Sequence, residues 1–95
     1  MADKIKASHI LIAVADDAED KITALKKELD DGADFAALAK EHSACPSGAE
    51  GGDLGQFGPN DMVPSFGAAA FALEEGETSD VVETDFGYHL ILRTG

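Results

Sequence analysis

Two histidines, His9 and His89, each sit inside an apolar stretch that reads as a strand, Ser8-His9-Ile10-Leu11-Ile12 and Tyr88-His89-Leu90-Ile91-Leu92. An imidazole in such surroundings needs a hydrogen-bond partner, and the simplest partner for each is the other. If the first and last strands are sheet neighbours, one ring donates while the other accepts, and their outer contacts fix the tautomers. A lone strand histidine is more often a satisfied core residue than a catalyst, and that blander role stays open for both. Cys45, the single cysteine, is the third candidate. It could attack a carbonyl as a thiolate, act on it electrostatically, or be a small buried residue with no chemistry. With His42 it makes a poor metal site, because two ligands three residues apart lack the rest of a zinc set. A cysteine protease would need a thiolate–imidazole pair and an oxyanion hole. The two strand histidines are better matched to each other than to that task.

The elements that must position these groups can be read from periodicity. Residues 4–14 alternate as a strand, with Ile5, Ala7, His9 and Leu11 on one face and Ser8, Ile10, Ile12 and Val14 on the other. Both faces are largely apolar beyond residue 9, so a central strand covered on both sides is expected. Over residues 17–31, Ala18, Ile22, Leu25 and Leu29 recur at helical spacing behind an acidic first turn, with Gly32 as the stop. A short helix should start from Asp34 as its N-cap, with Phe35, Leu38, Ala39 and His42 in one stripe. The glycine-rich run from Ser43 to Asn60 predicts loops around a short strand at Asp53–Phe57. It matches no phosphate-binding fingerprint. Residues 64–73 suit a small-residue helix opening on Pro64. A strand at Asp80–Glu83, a turn at Thr84–Gly87 and a last strand at Tyr88–Thr94 follow. The order implies an α+β fold on a four-stranded, mostly antiparallel sheet with about four helices around it.

Size and charge narrow the function further. Ninety-five residues make one domain, here taken as residues 1–95. The formal charge is −12, and six of the seven cations lie in residues 1–40. Nucleic acid, anionic lipid and phosphorylated partners are disfavoured, since phosphate binding relies on clustered cations. No apolar run approaches the roughly 20 residues of a membrane span, and the opening Met-Ala-Asp-Lys-Ile-Lys lacks a signal-peptide core. A soluble, cytoplasmic monomer is the expectation, and a lone cysteine fits a reducing compartment.

From Ala7-Ser8-His9-Ile10-Leu11 to Phe86-Gly87-Tyr88-His89-Leu90-Ile91 the chain resembles the parvulin family of peptidyl-prolyl cis/trans isomerases. Between those ends lie Phe35-Ala36-Ala37-Leu38-Ala39, His42-Ser43, Gly51-Gly52-Asp53-Leu54-Gly55 and Met62-Val63-Pro64-Ser65-Phe66. Each motif is weak alone; in order, at compatible spacing across nearly the whole chain, they are specific. The resemblance implies a parvulin/FKBP-like, helix-decorated four-stranded sheet and an enzyme without metal or other cofactor, acting on proline-containing segments. Carried over by position, His9 and His89 are the paired histidines and Cys45 the cysteine-or-aspartate position. Leu54, Met62 and Phe66 form the proline pocket, and Thr84 is the hydroxyl residue beside the histidines. Gln56 and Phe86 are possible additions. The branch that selects phosphorylated Ser/Thr before proline carries basic residues after the first strand. Here that loop reads Ala13-Val14-Ala15-Asp16-Asp17-Ala18-Glu19-Asp20, so unphosphorylated substrates are expected. A non-catalytic proline-peptide-binding chaperone module on the same fold is the alternative.

The chemistry asked of such a site can be stated without the family. Rotating an X–Pro bond breaks amide resonance, and the uncatalysed exchange takes tens to hundreds of seconds. No bond is made or broken. The transition state is a twisted amide with less charge separation than the planar one, so an apolar pocket that strips water from the carbonyl favours it. Each roughly 1.4 kcal/mol removed from the barrier is worth tenfold in rate.

Overall fold

The computed structural model describes residues 4–95. Its elements are β1 (Ile5–Ala13), α1 (Ala18–Asp30), α2 (Phe35–His42), a 3-10 turn (Pro46–Glu50), β2 (Asp53–Phe57), α3 (Pro64–Phe71), β3 (Val82–Thr84) and β4 (Gly87–Arg93). The four strands form one sheet in the order β2-β1-β4-β3, and all three pairings are antiparallel. The α+β sheet is therefore the one expected, and the first and last strands of the chain are its two central members. The helix count resolves into three α-helices and the 3-10 turn, a segment that its glycines and Pro46 had marked only as loop.

Helices cover both faces of the sheet. On one face Ile10, Ile12 and Leu90 pack against Ile22 and Leu25 of α1 and Phe35, Leu38 and Ala39 of α2. On the other, Ile5, Ala7 and Ile91 meet Phe57, Phe66 and Ala70, with Leu73 closing the end. Helix boundaries follow their local chemistry. Asp34 caps α2 by accepting from the Ala37 N–H at 3.0 Å, and Gly32, at φ +102°, turns the chain out of α1.

Three expectations need correction. Val14 was placed on the buried second face of the first strand, but β1 ends at Ala13 and Val14 is 73% exposed. The chain turns there toward α1, so the alternation no longer describes a sheet face. His42 was placed in the apolar stripe of α2, yet its side chain is 39% exposed and lies 3.8 Å from Glu41. It sits in the last turn of α2, past the stretch that the sheet covers. The short edge strand lies at Val82–Thr84, two residues further along than periodicity placed its start.

Candidate active site

The face of the sheet under α3 carries both histidines. In the β1–β4 ladder Leu11 lies opposite His89 and His9 opposite Ile91, so the two imidazoles are diagonal neighbours on one face. Their Nδ1 atoms approach to 3.1 Å, with the rings near parallel at 18° and 5.3 Å between centroids. The outer nitrogen of His89, Nε2, is 2.7 Å from Thr84 Oγ1, which also accepts the Phe86 N–H at 3.2 Å. With that lone pair used, the Thr84 hydroxyl is best placed to donate its proton to the unprotonated Nε2 of His89. His89 then donates through Nδ1–H to His9 Nδ1, and His9 carries its own proton on Nε2. That nitrogen is buried with no hydrogen-bond partner among the described residues.

Both rings are held neutral by their surroundings. His9 and His89 are 6% and 4% exposed. Burial, and then the neighbouring His89, push the pKa of His9 down from 6.5 to about 4. Burial also lowers that of His89. Desolvation disfavours imidazolium in each case. Phe66 stands edge-on to both rings, 5.5 Å from His9 and 5.3 Å from His89, and is itself 3% exposed. The aromatic ring thereby seals the pair from below α3.

Above the pair opens an apolar cavity of about 240 Å³. The histidines and Phe66 line its floor, and Leu54, Met62, Val63, Cys45 and Phe86 line its sides. Cys45 is held by its backbone and by a neighbour: Ser43 Oγ accepts the N–H groups of Leu11 and Cys45 at 3.0 and 3.4 Å, and Ser47 Oγ–H donates to the sulfur at 3.1 Å. On the opposite wall, Phe86 is 62% exposed and forms the rim. Gly52 positions the floor, since its carbonyl accepts the His9 N–H at 2.9 Å. At φ +84°, a Cβ there would collide with the His9 carbonyl.

The cavity gathers all but two of the residues singled out from the sequence. Thr84 stands behind His89 rather than in the wall. Gln56 does not reach the site: it is exposed and pairs with Lys6, on the face away from the histidines. The cause is a β-bulge. Lys6 pairs with Gln56 and Ser8 with Asp53, so β2 carries one extra residue, and Gly55 takes it up at φ +69°. Strict alternation would put Leu54 and Gln56 on one face; the bulge separates them. Three contributors went unnoticed in the sequence: Val63 in the wall, and Ser43 and Ser47 around Cys45. Ser43 and Val63 lie inside motifs already quoted, whereas nothing local distinguishes Ser47.

Fold and site together define a small α+β domain whose apolar pocket lies over a buried histidine pair. The family model of the rotamase PPIC-type PPIase domain matches residues 9–95. The chain is 52% identical over 89 residues to the foldase protein PrsA of Geobacillus sp. strain WCH70, covering 93% of this chain and 31% of that protein. It is 48% identical over 89 residues to the peptidyl-prolyl cis-trans isomerase Pin1 of Digitalis lanata, covering 93% of this chain and 75% of that protein. The solution structure of NmPin, the parvulin of Nitrosopumilus maritimus, superposes with a TM-score of 0.82 at 41% identity, covering 100% and 99% of the two chains. This chain belongs to the PPIC-type peptidyl-prolyl isomerase family, the parvulins. It spans about a third of the length of the PrsA relatives it matches. Among the described residues, no helix is long and apolar enough to cross a membrane.

Proposed function

We propose that these 95 residues work as one catalytic unit, a monomer that accelerates X–Pro rotation in unphosphorylated protein segments and so assists folding. The observation that carries this reading is the apolar cavity over the paired histidines. A proline ring seated against Leu54, Met62 and Phe66 would leave its preceding carbonyl facing Cys45 and the histidines, in a space from which water is excluded. Desolvation lowers the advantage of the planar, charge-separated amide over the twisted one. Cys45 then acts electrostatically: an electron-rich sulfur beside the carbonyl opposes its ground-state polarity. A covalent adduct would have to be undone on every turnover. His9, His89 and Thr84 hold the tautomers and the floor. A free thiol in this position suits a reducing compartment, and we place the protein in the cytoplasm.

A protease-coupled proline-peptide exchange assay tests the reading. Acceleration without consumption of substrate is expected; binding without acceleration would favour the non-catalytic chaperone module. The Cys45 role is read in the same assay. Cys45→Asp should retain activity within about tenfold of the parent, a loss of about 1.4 kcal/mol, because it supplies an anion that forms no adduct. Cys45→Ser should be poorer, with neither charge nor polarizability. The reverse order would sink the electrostatic account.

Selectivity follows from charge. The turn after β1 carries Asp16 and Asp17, and the first turn of α1 adds Glu19 and Asp20 before the first cation, Lys21, so a phosphoserine before proline should turn over more slowly than serine. Glutamate there should be poorer than leucine or lysine. Raising salt should narrow both gaps, because screening weakens exposed electrostatics. A preference for phosphoserine would end this part of the reading.

A further inference from the structure

A further cleft lies outside the proline cavity. It measures about 540 Å³ and runs between the turn after β1, the outer face of α1 and the end of α2. Its apolar lining includes the buried Ile12 and Leu25 and the exposed Val14, Ala15 and Ala24. Its rim carries the carboxylates of Asp17, Glu28 and Glu41 against one ammonium, Lys21. Lys21 is paired with Asp17 at 3.4 Å and His42, which also lines the cleft, lies 3.8 Å from Glu41, so Glu28 is the rim carboxylate without an ion-pair partner among the described residues.

Two connections join this cleft to the proline cavity. Ala44 lines the cleft and the next residue, Cys45, lines the cavity; the Ala44 N–H is anchored on the Leu11 carbonyl at 2.7 Å. Ala13 lines the cleft and faces Gly87 across the β1–β4 ladder, next to Phe86 on the cavity rim. Among the described residues, the two most exposed large apolar side chains are Val14 at 73% and Phe86 at 62%, one in each depression. The two depressions lie on opposite faces of the sheet and come closest at the end of β1, where Ala44 of the cleft is followed by Cys45 of the cavity.

We infer that this cleft is a second docking groove for the substrate chain, taking an apolar side chain with an adjacent lysine or arginine some residues away from the proline. The inference rests on the isomerase reading of the cavity. Apolar contact with the lining supplies affinity, and the excess of carboxylates over cations on the rim, Glu28 above all, selects the cation. A second copy of this chain, also at −12, is the wrong occupant by charge.

The test compares a short neutral proline peptide with the same peptide extended by a flexible spacer and a Leu-Arg or Leu-Glu pair, on either side and at several spacer lengths. One Leu-Arg series should lower KM by about tenfold at low salt with kcat little changed, and the Leu-Glu series should not. Ala24→Arg, an exposed position on α1, should abolish the gain while leaving turnover of the short peptide intact. Glu28→Lys should transfer the preference to Leu-Glu. In amide shift mapping, the extended peptide should move Val14, Ala24 and Glu28, and the short peptide should not. Equal KM for all peptides, with shifts confined to the proline cavity, would overturn the groove. So would self-association through this face in sedimentation. Absence of turnover of the short peptide would instead overturn the isomerase reading, and shift mapping would still decide the groove.

Discussion

Phe66→Ala is expected to lose stability and turnover together. The ring is 3% exposed, lies edge-on to both histidines and packs near Phe57 at 6.2 Å. Removing it opens a void beneath α3, and burial of this kind costs about 3–5 kcal/mol on truncation to alanine. A residue assigned to a substrate pocket would be expected to reach solvent and to be removable without harm to the fold; Phe66 is instead buried in the core. The void also lets water reach the histidine pair and the seat of the proline ring, so kcat/KM should fall by about a hundredfold or more. Met62 separates the two effects. It is only half buried and lies at the edge of the same cluster, so Met62→Ala should lower kcat/KM by about tenfold with a small shift in the denaturant midpoint. Denaturant melts and the exchange assay on both variants provide the check. A Phe66→Ala protein that melts like the parent would refute the packing described here.

The second large effect is in stability against pH. Above pH 7 the two rings are neutral in both folded and unfolded chains and contribute no slope. As pH falls through 6.5, the unfolded chain takes up protons that the buried rings refuse, so stability decreases. For His9 the decrease continues to about pH 4, where the native ring protonates. That span corresponds to about 3 kcal/mol for this residue, and His89 adds in the same direction because its pKa is also lowered. Stability is thus present above the unfolded pKa and is lost on acidification. Denaturant midpoints taken from about pH 7.5 to about pH 4.5, short of most carboxylate titration, should trace the decline. His9→Asn, whose carbonyl oxygen can replace Nδ1 as acceptor, should reduce the decline to the part that His89 contributes. A flat profile for the parent protein would mean that the pair is not buried neutral.

Much of this arrangement could be read before any coordinates. Alternation in Ser8–Ile12 and Tyr88–Leu92 was enough to set each histidine on a defined face. Helix ends at Gly32, Asp34 and Pro64 announced themselves through backbone and capping chemistry. Register was not legible: that Leu11, and not His9, lies opposite His89 depends on how two strands eighty residues apart slide into place. The bulge was hidden for a related reason. Gly55 is one of ten glycines, and only pairing with β1 makes it the residue that turns Leu54 toward the cavity and Gln56 away. The burial of Phe66 depends on where α3 settles on the sheet, which a small-residue helix such as Pro-Ser-Phe-Gly-Ala-Ala-Ala-Phe hardly specifies.

The central position of β1 and β4 has a consequence for biosynthesis. The strand made first can be completed only by the one made last, so a growing chain holds Ile5–Ala13 without its main partner until Gly87–Arg93 has emerged. Sheets dominated by such distant pairings form slowly, because a long loop must close before any contact rewards it. Both core clusters depend on that event, since Leu90 belongs to one and Ile91 to the other. The histidine pair forms in the same step. A nascent or truncated chain lacking residue 89 has an unfinished sheet and no histidine pair, so the cavity arrives all at once, with the protein's own folding.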